Sequence, residues 1–341
     1  MMHWFDVHGL RLTIEAETLD LIAPVRQYVD PFATDACSAA DYSIVIERGF
    51  VDELPDGATV LSESPVAPGV PSRLAIKDEQ NWLLVPGQMS VVMDRAAHMT
   101  RIRVGDECGR SLQSLAGIHA IEMALASSGQ HLLHGAALTL PGDPLAALLV
   151  FAPSGAGKTT TALALALGGF GLLTDDAIVL QPRGYRGRGV DHVWGLPRSL
   201  KIHRRTAELL PAIAPLLTEN WDPADEQPLR QESVSGLVSS VPPFSVPISV
   251  PIVAIATLGQ RSGSDHQIVP LDKAKALVLL AHDNMRRSKH GVTLGHAKRF
   301  EALGALLAVT PSYEMRVGAH LMGLPEYIAA TFNRGYLVRK L

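Results

Sequence analysis

The stretch FAPSGAGKTT, residues 151 to 160, sets a lysine and a threonine directly behind two glycines, Gly155 and Gly157. Residue types in this order can hold phosphate. Glycines let successive backbone N–H groups turn inward around an anion. A helix opening at the lysine adds the partial positive charge of its N-terminus. Lys158 would reach the β- and γ-oxygens of a nucleotide, and the Thr159 hydroxyl would ligate Mg2+. On this reading Ser154, Gly155, Ala156, Gly157, Lys158, Thr159 and Thr160 make up the nucleotide contact. The usual loop of this kind opens on a glycine, and that position is Ala152 here. Alanine fits at little cost if φ is negative and is strained by about 1 kcal/mol if φ is positive.

Two acids follow closely. Asp175 and Asp176, in FGLLTDDAIVLQP, come one helix and one strand after Lys158. Adjacent carboxylates at a strand end point opposite ways, so one can complete a Mg2+ shell while the other faces an attacking group. A solvated acidic turn is the alternative. Upstream, HLLHGAALTL carries His134, which by itself reads as structural as readily as catalytic.

The elements around these residues fit the task. LAALLVFAP is an apolar strand that feeds the loop, and GKTTTALALALGG is a helix closed by Gly168-Gly169. HLLHGAALTL and LAALLVFAP, separated by PGDP, read as a hairpin that would bring His134 towards the same end. Earlier, LRLTIEAE, YSIVIERG, WLLVPG and MSVVMD read as strands, and residues 111 to 128 as a helix. After Pro270, LDKAKALVLLAHDNM, HAKRFEALGALLAV and LPEYIAATFN read as helices. The expected organisation is α/β: a β-rich N-terminal domain over 1–110, a phosphate-loop core over 111–270, and a helical C-terminal part over 271–341.

Bulk properties narrow the class. The chain has 341 residues, 47% hydrophobic and 19% charged, as in ordinary globular proteins. A net charge of -4 gives no field that would recruit nucleic acid. The two cysteines, Cys37 and Cys108, make neither a disulfide scaffold nor a metal cluster, and they suit a cytoplasmic protein. The N-terminus MMHWFDVHGLRL lacks the form of a signal peptide. The long apolar run VSSVPPFSVPISVPIVAIATL, residues 238 to 258, holds four prolines, and turns with edge strands are expected there instead of a membrane span.

His134-Gly135, SGAGKTTTALAL and Asp175-Asp176, in this order, resemble the catalytic domain of HPr kinase/phosphorylase. That family shares its phosphate-loop fold with ATP-type phosphoenolpyruvate carboxykinase. The resemblance implies an HPr kinase/PEP carboxykinase-like P-loop core over the middle of the chain. It also implies that Lys158 and Thr159 bind ATP or another NTP with Mg2+, that Asp175 is the base for a serine hydroxyl, that His134 orients that aspartate, and that Asp176 supports the metal. Phosphoryl transfer further needs a cation on the moving group. GLPRSLKIHRR offers Arg198 and Lys201 as candidates, with Arg204 and Arg205 nearby. In DNMRRSKHG, residues Asn284, Arg286 and Gly291 keep the spacing of the family's C-terminal helix.

The chain also departs from the family. The EIRGLGI-like signature is missing, and YRGRGVDHVWGL stands in that region. Neither an HPr partner nor the reverse phosphorylase reaction is therefore expected. The layout is more similar to the stand-alone HPr-kinase-like enzymes that phosphorylate a serine of a lasso-peptide precursor. The resemblance then implies a peptide or protein acceptor and assembly into a homo-oligomer, with no nucleic-acid or membrane partner. A small-molecule kinase, a carboxykinase-like enzyme and a non-catalytic nucleotide-binding module are the alternatives. The LSGGQ-like segment of a transporter ATPase is missing from the sequence.

Overall fold

The computed structural model describes residues 1–35, 39–66, 69–230, 233–234, 247–260, 263–285 and 294–340, and side chains up to 332 except those of 294 and 295. Cys37, Arg286 and Gly291 lie outside the described residues. The protein is mixed α/β. It forms two compact units, one comprising Met1–His131 with Arg286–Ala297 and the other Leu132–Met285 with Lys298–Leu341.

In the first unit, nine strands form one sheet: β1 Met2–Val7, β2 Leu10–Ala16, β3 Ala33–Thr34, β4 Tyr42–Arg48, β5 Thr59–Glu63, β6 Arg73–Lys77, β7 Gln80–Val85, β8 Met89–Asp94 and β9 Met99–Val104. Their order is β3-β1-β2-β4-β9-β8-β7-β6-β5. Period-two alternation drives it: Tyr42, Ile44 and Ile46 of β4 and Thr100, Ile102 and Val104 of β9 are buried. Helices α1 Leu19–Arg26 and α2 Arg110–Ser127 pack against β2, β4, β8 and β9. The strands read from the sequence are β2, β4, β7 and β8. Helix α2 belongs to this first unit.

The second unit holds β10 His131–Leu133, β11 Ala136–Leu140, β12 Asp143–Phe151, α3 Lys158–Leu167, β13 Gly171–Thr174, β14 Ile178–Gln181 and β15 His192–Gly195. Then come β16 Leu200–His203, α4 Arg204–Leu209, β17 Glu226–Leu229, β18 Val250–Leu258, β19 Gln267–Pro270, α5 Lys273–Asn284, α6 Leu294–Val309, β20 Ser312–Arg316 and α7 Leu324–Lys340. Strand β10 begins at the border between the units, and the first turn of α6, up to Ala297, falls in the first unit. The main sheet runs β10-β14-β15-β18-β12-β11-β13, with β20 beside β18 and β19 beside β20; β16 and β17 form a separate ribbon.

Strands β11 and β12 are apolar on both faces, as strands sandwiched between helix layers must be. Ala137, Leu149 and Phe151 pack with Leu280 of α5 and Leu303 and Leu306 of α6. Leu138, Leu148 and Val150 pack on the opposite face with Leu165 of α3 and Leu324 and Ile328 of α7.

Two expectations need correction. The proline-rich run was expected to give edge strands, yet Val250–Leu258 is a central strand, parallel to β12 on one side and flanked by β15 and β20 on the other. Pro251 is tolerated because it is the second residue of the strand, where one missing donor does little harm. Positions 238–246 of that run fall outside the described residues. The C-terminal part is also not purely helical, since β20 lies between α6 and α7. Among the described residues, no helix is long and apolar enough to cross a membrane.

Candidate functional site

His134 and the aspartate pair each lie at a break between two strands. HLLHGAALTL does not form one strand: it splits into β10 and β11, with His134-Gly135 in the gap. FGLLTDDAIVLQP splits likewise into β13 and β14, with Asp175-Asp176 in the gap. Register then brings the gaps together. Ala136, at the start of β11, lies opposite Val150 at the end of β12. Ala137 lies opposite Thr174, at the end of β13. The residues before β11, after β12 and after β13 therefore meet at one end of the sheet. Gly135 is required by this crowding, because a β-carbon there would sit 2.9 Å from the Phe151 ring.

From Phe151 the chain enters the loop. Ala152 is buried and does not take a positive φ, so it replaces the usual glycine without strain. Gly155 and Gly157 do take positive φ, 78° and 94°, a conformation that favours glycine. The Ala156 N–H closes the turn on the Pro153 carbonyl at 3.0 Å. Pro153 to Ala156 are exposed, and α3 starts at Lys158. The loop thus offers its backbone to solvent at a helix N-terminus.

Lys158 is 8% exposed and carries a charge into the protein. Its Nζ donates to the Asp175 carbonyl at 2.7 Å. The same Nζ stands 3.6 Å from Asp175 Oδ1 and 3.5 Å from Asp176 Oδ1. The two carboxylates have different surroundings. Asp175 is 3% exposed; its Oδ2 accepts from the Thr159 hydroxyl at 2.6 Å, while its buried Oδ1 has no hydrogen-bond partner. Burial pushes the Asp175 carboxyl above its usual range, against the pull of Lys158 and Thr159. Asp176 is open to solvent on one side. Its Oδ1 accepts from His134 Nδ1 at 2.8 Å, and its Oδ2 pairs with Arg198 at 2.6 Å. Burial again pushes upward, but the His134 hydrogen bond, Arg198 and Lys158 outweigh it and hold this carboxyl well below the usual range.

The pairing within the site is the reverse of the expected one. His134 was expected to orient Asp175 and instead contacts Asp176. Asp176 was expected beside the metal-binding hydroxyl, yet Thr159 contacts Asp175. Of the two candidate cations, Arg198 is in the site, whereas Lys201 is exposed and faces Glu226 at 3.6 Å. Arg204 and Arg205 are likewise engaged by Asp225 and Glu208. Two residues were not singled out for the roles they have here. Thr206, on α4, meets the Thr160 hydroxyl at 2.8 Å. Asn284 accepts from the His134 backbone N–H at 2.6 Å. Nothing in the sequence pairs Thr206 with Thr160; Asn284 stood out only by spacing.

The site suits a hard divalent cation. A hydroxyl and a carboxylate oxygen 2.6 Å apart, beside an unpartnered buried carboxylate oxygen, are oxygen ligands of the kind Mg2+ takes. Among the described residues no cluster of three or more His, Cys, Asp or Glu side chains is placed to hold a metal by itself. No protein-family model matches the chain, and no curated protein matches it.

Proposed function

We propose that this protein is a nucleotide- and Mg2+-dependent phosphotransferase with an HPr kinase/PEP carboxykinase-like phosphate-loop core, moving a terminal phosphoryl group to a serine hydroxyl of a peptide or protein. One observation carries the reading. The phosphate-loop lysine, buried at the start of α3, lies within 3.6 Å of both carboxylates of the aspartate pair. A solvated acidic turn would not hold a buried ammonium between two acids.

The chain's own groups divide the work. The exposed loop and the N-terminus of α3 receive the phosphates, and Lys158 meets their terminal oxygens. Mg2+, held by Thr159 and Asp175, would neutralise charge on the phosphates. Asp176 faces the acceptor: it is the accessible carboxylate of the pair. As the acceptor oxygen bonds to the terminal phosphorus, the bond from that phosphorus to the bridging oxygen breaks, the nucleoside diphosphate leaves, and the hydroxyl proton passes to an Asp176 oxygen. His134 fixes the orientation of that carboxylate, and Arg198 stands ready to balance charge on the moving phosphoryl group. A carboxylate held at low pKa is a weak base, which suffices because a loose transition state gains most from positioning and charge.

The acceptor class we favour is the serine of a ribosomally made precursor peptide, of the lasso type. Incubation with Mg-ATP and the precursor peptide encoded nearest the gene, read by mass spectrometry, tests this. One added phosphate on a serine is the expected result. Free phosphate alone across several candidate peptides would remove the peptide-kinase reading. A non-catalytic nucleotide switch would keep its nucleotide turnover in an Asp176→Ala variant, whereas the transferase loses its product.

A further inference from the structure

We infer that Asn284 is a positioning residue that holds His134 against Asp176, tying the last turn of α5 to the reacting end of the sheet. The inference rests on the phosphotransferase reading for its catalytic consequence, but the clamp itself is a matter of geometry.

His134 lies where the chain has left β10 and not yet entered β11, so its backbone N–H has no place in a strand ladder. Asn284 supplies the partner: its Oδ1 accepts from the His134 N–H at 2.6 Å. The other end of that side-chain amide is also committed. Nδ2 donates to the Leu280 carbonyl at 2.9 Å, one turn back along α5. The Asn284 backbone carbonyl accepts from Arg299 of α6 at 3.0 Å. With Asn284 6% exposed, no solvent is at hand to replace the lost bond. On the other side, Gly135 is pressed against Phe151. The His134 backbone is thus held from two directions, and its imidazole reaches Asp176 at 2.8 Å. Asparagine can accept from one backbone group through its amide oxygen and donate to another through its amide nitrogen. Alanine would leave a buried N–H without a partner, and such groups move to find one.

The test compares Asn284→Ala with Asn284→Asp, which keeps the acceptor oxygen. Two quantities are read: phosphate transfer per folded molecule and hydrogen exchange at the His134 amide. In the alanine variant we expect kcat to fall about 10- to 100-fold, the scale of a misplacement of about 1 Å. The nucleotide KM should stay within about twofold, because the phosphate loop is untouched. The His134 amide should exchange at least about tenfold faster. Asn284→Asp should restore protection at His134 and most of kcat. An alanine variant that is unprotected at His134 yet fully active overturns the positioning role, as does an aspartate variant that restores His134 protection yet stays as impaired as alanine. Should alanine not fold, Asn284→Ser is read in its place, since its shorter side chain also fails to reach. If the natural chain transfers phosphate to no acceptor, the phosphotransferase reading falls. The exchange measurement then decides the clamp alone, with unchanged His134 protection in the alanine variant counting against it.

Discussion

The two units bury polar groups differently. In the first, the buried polar side chains among the described residues are Thr13, Ser72, Ser90, Thr100, Gln130 and His131, with no carboxylate, ammonium or guanidinium among them. Its ion pairs, such as Arg11–Asp41 and Arg103–Glu47, remain partly exposed and contribute at most about 1 kcal/mol each. The second unit buries Lys158, Asp175, Asp191 and Arg299. Burying a charge costs several kcal/mol unless it is paired well. Asp191 is paired for structure, with the Arg183 side chain at 2.5 Å and the Arg183 N–H at 2.9 Å. Lys158 and Asp175 are not so well satisfied, since an oxygen of Asp175 is left without a hydrogen bond. A buried carboxylate oxygen without a hydrogen bond occurs, among these residues, in the second unit, where the proposed function places a charged ligand.

Breaking that charge cluster should give the largest effect. Lys158→Met is expected to lower phosphate transfer at least about 1,000-fold, measured as kcat/KM with saturating Mg2+. Near-normal turnover would mean that the buried lysine is only structural, and the contrast between units would lose its functional meaning. The aspartates should separate next. Asp176→Asn is expected to cut transfer about 100-fold with the Mg2+ dependence unchanged. Asp175→Asn is expected to raise the Mg2+ concentration for half-maximal rate by about tenfold or more. The opposite pattern would restore the roles that the family resemblance implied. Smaller again, Arg198→Ala should slow transfer about 10- to 100-fold, while Lys201→Ala stays within about twofold in the same assay.

The first unit should respond in stability alone. Tyr42→Phe removes the partner of the fully buried Thr100 hydroxyl, a bond of 2.8 Å. About 1–2 kcal/mol should be lost in denaturant titration with kcat per folded molecule unchanged. The finest distinction concerns acid. The Asp176 carboxyl is held below its unfolded value. Its contribution to stability is therefore complete above about pH 4, the ordinary carboxylate value, and is lost as pH falls through the folded value. Asp176→Asn should accordingly show a shallower loss of melting temperature below about pH 4 than the natural chain.

The loop residues of the site were legible in the sequence because they sit in one short stretch with strong local signals. Gly155 and Gly157 announce a turn, and the alanine- and leucine-rich run after Lys158 announces a helix. The strand–loop–helix order then follows from local preference. Which aspartate meets His134 was not legible, because that depends on the strand breaks at 134–135 and 175–176. Sequence patterning set the aspartate pair at a strand end and His134 on a hairpin strand, but it carried no register to say which of them meet. Asn284 and Thr206 stayed hidden for a related reason: their partners are remote in the chain, and a lone polar residue on a helix has no local mark of what it touches. Likewise Pro251 argued for an edge position that the parallel pairing of β18 with β12 overrides.

That pairing has a consequence for how the chain comes into being. Strand β12, with Leu148, Leu149 and Val150, finds one neighbour at once in β11, but its other neighbour, β18, is synthesised far later. Until β18 arrives, the strand that leads into the loop before α3 presents a bare apolar edge, the kind of surface on which nascent chains stick to one another. Expression at reduced rate, or with a holdase chaperone present, should therefore improve the soluble yield of this protein.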